Sequence, residues 1–170
     1  MDNIYLWTGT GWGKTTSALG VALRAIGHNK KVIIIQFMKG RKFIGEYRVR
    51  EKLKPYYSIY QFGREGWVNL KNPSKEDKKK AQQGFKFIDN AVKKKPFLLI
   101  LDEINLACAI GLLDTDKVIK KIKRIPKSIT VYLTGRYAPK KLIGFANYAT
   151  EVRGLKRPPV TGTAKIGIDY

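Results

Sequence analysis

Apolar residues along this chain gather in short runs, with lysine-rich polar stretches between them. Ile4 to Trp7, Lys31 to Met38 (KVIIIQFM), Ser58 to Phe62, Phe97 to Glu103 (FLLILDE), Ser128 to Gly135 (SITVYLTG) and Tyr148 to Val152 predict strands. Several are apolar throughout instead of alternating, the pattern of strands buried on both faces of a parallel sheet. Helical spacing falls between them, over Thr15 to Ile26, Ser74 to Lys93, Asp116 to Arg124 and Pro139 to Ala146. Ser74, just after Pro73, precedes Glu76 and Asp77 and so marks a helix start, while Gly27 marks a stop. Strand and helix thus alternate, which predicts an α/β fold with a mainly parallel sheet flanked by helices. No repeat, linker or composition break divides the chain, and one domain over residues 1–170 is expected.

Between the first strand and the first helix lies WTGTGWGKTT, residues 7–16. It looks like a Walker A loop one residue short, since three residues and not four separate Gly9 from Gly13-Lys14-Thr15. Strand, glycine loop and helix follow in the order a phosphate site needs. Backbone N–H groups of Gly11, Gly13 and Lys14 would face an anion at the positive end of the helix, with the Lys14 ammonium adding a full charge. Thr15 would offer its hydroxyl to Mg²⁺. A second signal is LLILDEIN, residues 98–105, where an apolar strand ends in Asp102 and Glu103. Either carboxylate can hold Mg²⁺ there, as in a Walker B strand, or cap the next helix. Together with Gly-Lys-Thr the pair predicts a P-loop, RecA-like architecture. Arg136, in Thr134-Gly135-Arg136 at another strand end, either reaches a phosphate or ribose or makes a surface ion pair.

Composition narrows the setting. The 34 Lys plus Arg against 13 Asp plus Glu give a net charge of +21, which favours polyanions in general. Yet clusters such as Lys78-Lys79-Lys80, Lys93-Lys94-Lys95 and Lys120-Lys121 read equally as solvated faces, and no specific nucleic-acid partner is expected. A single cysteine, Cys108, excludes an internal disulfide and fits a reducing, cytoplasmic setting. No run is apolar enough to span a bilayer and no targeting segment is evident, so no membrane partner is expected. The one histidine, His28, reads as a helix-terminal residue, and no Cys/His set has zinc spacing.

From residue 4 to 170 the chain resembles the P-loop corrinoid adenosyltransferases, which act on cob(I)alamin or cob(I)yrinic acid a,c-diamide. The resemblance rests on Gly9 to Thr16, Leu23-Arg24-Ala25-Ile26-Gly27-His28, Gln36-Phe37-Met38-Lys39-Gly40 and Gly45-Glu46. It continues through Leu101-Asp102-Glu103-Ile104-Asn105, Leu133-Thr134-Gly135-Arg136, Ala138-Pro139 and Gly167-Ile168-Asp169-Tyr170. That family has the same short loop. It binds ATP with the triphosphate reversed, so that ribose C5′ is presented for attack. The resemblance implies transfer of the 5′-deoxyadenosyl group of ATP to the cobalt of a Co(I) corrinoid, with triphosphate leaving. It places the triphosphate on Gly9, Thr10, Gly11, Trp12, Gly13, Lys14, Thr15 and Thr16. It puts Mg²⁺ on Thr15 with Glu103 and Asp102, the other end of the nucleotide near Arg24 and Arg136, and the corrin against Trp67. An electron donor, flavin or flavoprotein, and a homodimer are further implied.

Four features depart from the family pattern. Trp12 stands at a loop position where relatives carry Lys, and Gly66-Trp67-Val68-Asn69 keeps one of two aromatics in a Gly-Phe-Thr-Trp segment. By the resemblance, the N-terminal extension that some members fold over the corrinoid is not expected here, and the stretch from Arg153 to Lys165 reads one residue shorter. Two other readings stay open: a basic RecA-like ATPase acting on nucleic acid, and a corrinoid- or nucleotide-binding protein without turnover.

Overall fold

In the computed structural model, residues 3–156 and 164–169 are described; residues 157–163 of the shortened stretch, and Tyr170 of the closing motif, lie outside them. The strands are β1 (Ile4–Thr8), β2 (Val32–Phe37), β3 (Tyr57–Phe62), β4 (Leu98–Asp102), β5 (Thr130–Thr134) and β6 (Tyr148–Glu151). They form one parallel sheet in the order β3-β2-β4-β5-β1-β6. The helices are α1 (Lys14–Gly27), α2 (Gly45–Arg48), α3 (Lys75–Lys93), α4 (Ile104–Ala109), α5 (Thr115–Ile122) and α6 (Lys140–Phe145). The expected α/β architecture is present, with β5 standing between the strand that feeds the glycine loop and the strand that ends in Asp102.

Strand parity sorts side chains onto the two faces, because successive residues point to opposite sides. On one face Val32, Ile34, Leu98, Ile100 and Tyr132 meet α1 through Ala18, Ala22 and Ala25, whose small side chains let the helix lie close to the sheet. On the other face Ile33, Ile35, Leu99, Leu101, Val131 and Leu133 pack with Ala81 and Ile88 of α3, Ile104 of α4, Val118 of α5 and Leu142 of α6. Every residue of β2 and β4 is buried, as their unbroken apolar pattern predicts. Each such aliphatic side chain contributes about 1.5–3 kcal/mol. The sheet centre is therefore a rigid base for whatever its carboxyl edge carries.

Two helices have no counterpart in the sequence pattern. The helix α2 spans four residues and buries none, so it leaves no apolar period to read. The helix α4 has the opposite problem: Ile104 to Cys108 are all buried, and an element apolar on every side has no amphipathic stripe.

Candidate functional site

The same parity that builds the core assembles a polar cluster. Gln36 and Asp102 are register partners at the ends of β2 and β4, and Thr134 ends β5 next to β4. All three share the α1 face, where Thr15 enters from the first turn of the helix. Asp102 is 1% exposed, and both of its oxygens are saturated. Thr15 Oγ1 and Thr134 Oγ1 donate to Oδ1 at 2.8 and 2.6 Å. Gln36 Nε2 and Lys39 Nζ donate to Oδ2 at 3.0 and 2.7 Å. Burial opposes the charge, but the Lys39 ammonium and the hydroxyls outweigh it and hold the Asp102 carboxyl below its ordinary range. Asp102 is a fixed anion.

Glu103 meets the opposite fate one residue later. Its backbone is left-handed, φ 63° and ψ 15°, a conformation costing a non-glycine residue about 1–3 kcal/mol. The turn takes its side chain out of the strand pattern, while its N–H donates to Thr134 Oγ1 at 3.1 Å. Its Oε2 is buried without a hydrogen-bond partner. Burial and then the neighbouring Asp102 charge push its carboxyl up, with Lys39, Lys14 and Arg136 partly offsetting them. A buried acceptor without a donor is costly and calls for an explanation. Asn105 Oδ1 is a second such atom, while Asn105 Nδ2 donates to Trp7 O at 3.0 Å.

The glycine loop is tied down from outside. Val152 N donates to Thr8 O at 2.9 Å, and Gly11 N donates to Val152 O at 2.8 Å, so the segment after β6 straps the loop. Gly9 lies at φ 101°, and a Cβ there would sit 2.3 Å from Val152 O. The expectation that the Gly11 N–H faces an anion is corrected, because Val152 already takes that hydrogen. Gly13, at φ 96°, caps α1 and swings the chain into the helix. Lys14 is buried and its Nζ donates to Gly11 O, closing the loop on itself.

Lys14, Thr15, Asp102 and Glu103 therefore converge. Thr10, Trp12, Thr16 and Arg136 are exposed, Trp12 at 71%, and the Arg136 charge acts on Glu103. Arg24 lies apart, ten residues along α1 and so about 15 Å from Lys14. It borders a groove of about 730 Å³ with Tyr5, Trp7, Tyr132 and Tyr148. Trp67 is also separate, 82% exposed at a cleft of about 160 Å³ lined by Met38, Lys39, Arg41 and Arg64. The Arg41 guanidinium lies 4.8 Å from its ring centroid. Arg64 Nη2 donates to Trp67 O at 2.9 Å and its Nε to Asp77 Oδ1 at 2.8 Å, so the first turn of α3 holds this loop.

Gln36, Thr134 and Lys39 carry no role in the sequence reading. A signal existed for Gln36, a polar residue inside KVIIIQFM, but its partner depends on which strand lies beside β2.

Thr15, Asp102 and Glu103 suit a small hard cation, which takes oxygen ligands. The orphaned Glu103 Oε2 is the observation that fits such an ion. Among the described residues no three His, Cys, Asp or Glu side chains converge, so phosphate and water oxygens would complete the shell.

Parallel sheet, glycine loop, buried lysine, and an acidic pair at the edge of β4 define a P-loop nucleotide-binding protein. The family model described as ATP:corrinoid adenosyltransferase BtuR/CobO/CobP matches residues 1–170, and the chain belongs to that family. It is 31% identical to the corrinoid adenosyltransferase of Escherichia coli K12 over 169 residues, covering 98% of this chain and 85% of the relative. The corrinoid adenosyltransferase CobA of Salmonella typhimurium LT2 is 32% identical, with coverage of 98% and 85%. Among solved structures, the ATPase EscN, in complex with the stalk EscO of the enteropathogenic E. coli type III secretion system, gives a TM-score of 0.49. Its identity is 12%, over 89% of this chain and 42% of that one. The protein is thus an ATP:corrinoid adenosyltransferase, with ATP as co-substrate and a corrinoid as substrate. No helix among the described residues is long and apolar enough to cross a membrane.

Proposed function

We propose that this chain attacks C5′ of ATP with the cobalt of a Co(I) corrinoid and releases triphosphate. The cobalt electron pair forms the Co–C bond, and the C5′–O bond breaks with its pair leaving on the triphosphate. The observation that supports this reading best is the pair of unlike carboxyls beside Lys14. Asp102 is fully satisfied, and Glu103 is buried with an oxygen to spare. The loop from Gly9 to Thr16, apart from the Gly11 N–H that Val152 takes, would cradle the triphosphate, Lys14 would neutralise it, and Thr15 with Glu103, aided by Asp102, would hold Mg²⁺. The metal would stabilise charge on the departing triphosphate. No side chain need act as nucleophile. His28 caps the far end of α1, and burial pushes the Cys108 thiol up to about 12.

Catalysis on this reading is positioning plus electrostatic stabilisation of the leaving group. Trp67 would meet the corrin at the cleft, Arg24 and Arg136 would address the rest of the nucleotide, and a flavin or flavoprotein would keep the cobalt reduced. A cytoplasmic, homodimeric, one-domain enzyme completes the proposal.

The test is an anaerobic assay with ATP, Mg²⁺ and chemically reduced cob(I)alamin, following the corrinoid spectrum and the phosphate product. A photolabile adenosylcorrinoid with intact triphosphate is expected, with Lys14→Ala slowing transfer about 100-fold or more. Phosphate release that appears only when nucleic acid is added would overturn it.

A further inference from the structure

Lys39 is the most unusual member of the cluster. Its Nζ lies 2.7 Å from Asp102 Oδ2 and 3.2 Å from Thr15 Oγ1. Thr15 donates its own hydrogen to Asp102, so the ammonium takes a lone pair of the hydroxyl. Those are the oxygens that would face a metal ion between the glycine loop and β4. A divalent ion and an ammonium cannot share the same lone pairs, since Mg²⁺ requires oxygens at about 2.0–2.1 Å in a near-octahedral shell.

The position of Lys39 is built. Met38 turns the chain with φ 57°, just after β2. The next residues run backbone against backbone with Gly63, where an added Cβ would sit 2.3 Å from both Lys39 N and Met38 C. Gly40 makes the reciprocal approach, where an added Cβ would sit 2.5 Å from Gly63 O. The side chain leaves this clamp half-buried and reaches Asp102. Lys39 also lines the cleft of Trp67, so the same residue borders both the loop and the cleft.

We propose that the Lys39 ammonium is a resident cation, holding Thr15 and Asp102 together in the nucleotide-free protein and leaving them when metal and triphosphate enter together. The arrangement makes metal entry depend on nucleotide. Alone, a divalent ion must displace a paired ammonium from a buried carboxylate. With triphosphate present, the displaced ammonium gains new anionic oxygens. The inference rests on the proposed metal role of Thr15, Asp102 and Glu103.

The test is protein-bound Mn²⁺, counted by equilibrium dialysis after subtracting the Mn²⁺ that ATP carries alone, with and without ATP. Wild type is expected to bind Mn²⁺ weakly without ATP and well with it. Lys39→Met should bind nucleotide-free Mn²⁺ at least tenfold tighter than wild type, and adding Asp102→Asn should abolish that gain. The melting temperature of Lys39→Met alone should fall without metal and recover with Mn²⁺. Lys39→Gln, which keeps a donor for Asp102 without the charge, should show the same gain and serves if the Met variant does not fold. If wild type takes Mn²⁺ with ATP but neither variant gains affinity without it, Lys39 is not the competitor and this inference alone fails. If wild type takes no Mn²⁺ even with ATP, the metal reading fails and the inference with it.

Discussion

Two adjacent carboxyls in different protonation settings are the site's most informative residues. Asp102 has four donors, whereas Glu103 has an oxygen that none reaches and a raised proton affinity. Burying that group without a partner costs the empty protein stability. Glu103→Gln is therefore expected to raise the melting temperature without nucleotide by a few degrees, at about 2–4 °C per kcal/mol. The same change should weaken ATP-dependent Mn²⁺ binding at least tenfold, and calorimetry with metal titration checks both. Asp77 offers a test of pH dependence away from the site. Burial opposes its charge, but bonds from Arg64 and Ser74 prevail and depress its carboxyl below the ordinary value. A depressed native pKa stabilises above the unfolded value and loses that contribution as pH falls through the native one. Acid unfolding below about pH 4 should thus be steeper in wild type than in Asp77→Asn. That variant should cost about 1–3 kcal/mol at pH 7 in denaturant titrations. Lys14, Thr15, Asp102 and Glu103 were legible in sequence because each sits in a short linear pattern. Gln36, Lys39 and Thr134 were not, since they meet Asp102 only through strand order and parity.

At the scale of elements, the six strands and the four long or amphipathic helices followed from apolar runs and spacing. The start of α3 at Ser74 was readable as well, and the structure adds a capping box there, with Ser74 N donating to Asp77 Oδ2 at 2.9 Å and Asp77 N to Ser74 Oγ at 3.1 Å. The strap across the glycine loop was not, because a backbone bond from Gly11 to Val152 leaves no trace in side-chain identity. It nevertheless decides the loop's shape. Gly9→Ala puts a methyl group into Val152 O at a φ of 101° and must shift either the loop or the strap. ATP affinity is expected to fall more than tenfold, with a stability loss of about 1–3 kcal/mol. Equilibrium binding and thermal unfolding of one preparation separate the two effects.

Across the whole molecule the net charge of +21 acts separately from the site. Its lysines crowd the outer faces of α3 and α5, beyond the buried Asp102 cluster. Retention on heparin or duplex DNA should accordingly vanish with added salt and be unchanged by Lys14→Ala, and neither polyanion should stimulate ATP turnover. Topology has a different reach. The strand β1 feeds the glycine loop, yet its neighbours in the sheet are β5 and β6, made more than a hundred residues later. Val152, which fastens the loop, follows them. On a translating ribosome the first strand to emerge must therefore wait for nearly all of the others. Nascent chains stalled with β6 still inside the exit tunnel should leave an ATP resin empty, and chains stalled after the strap has cleared it should be retained. A half-made enzyme would then tie up none of the cell's nucleotide.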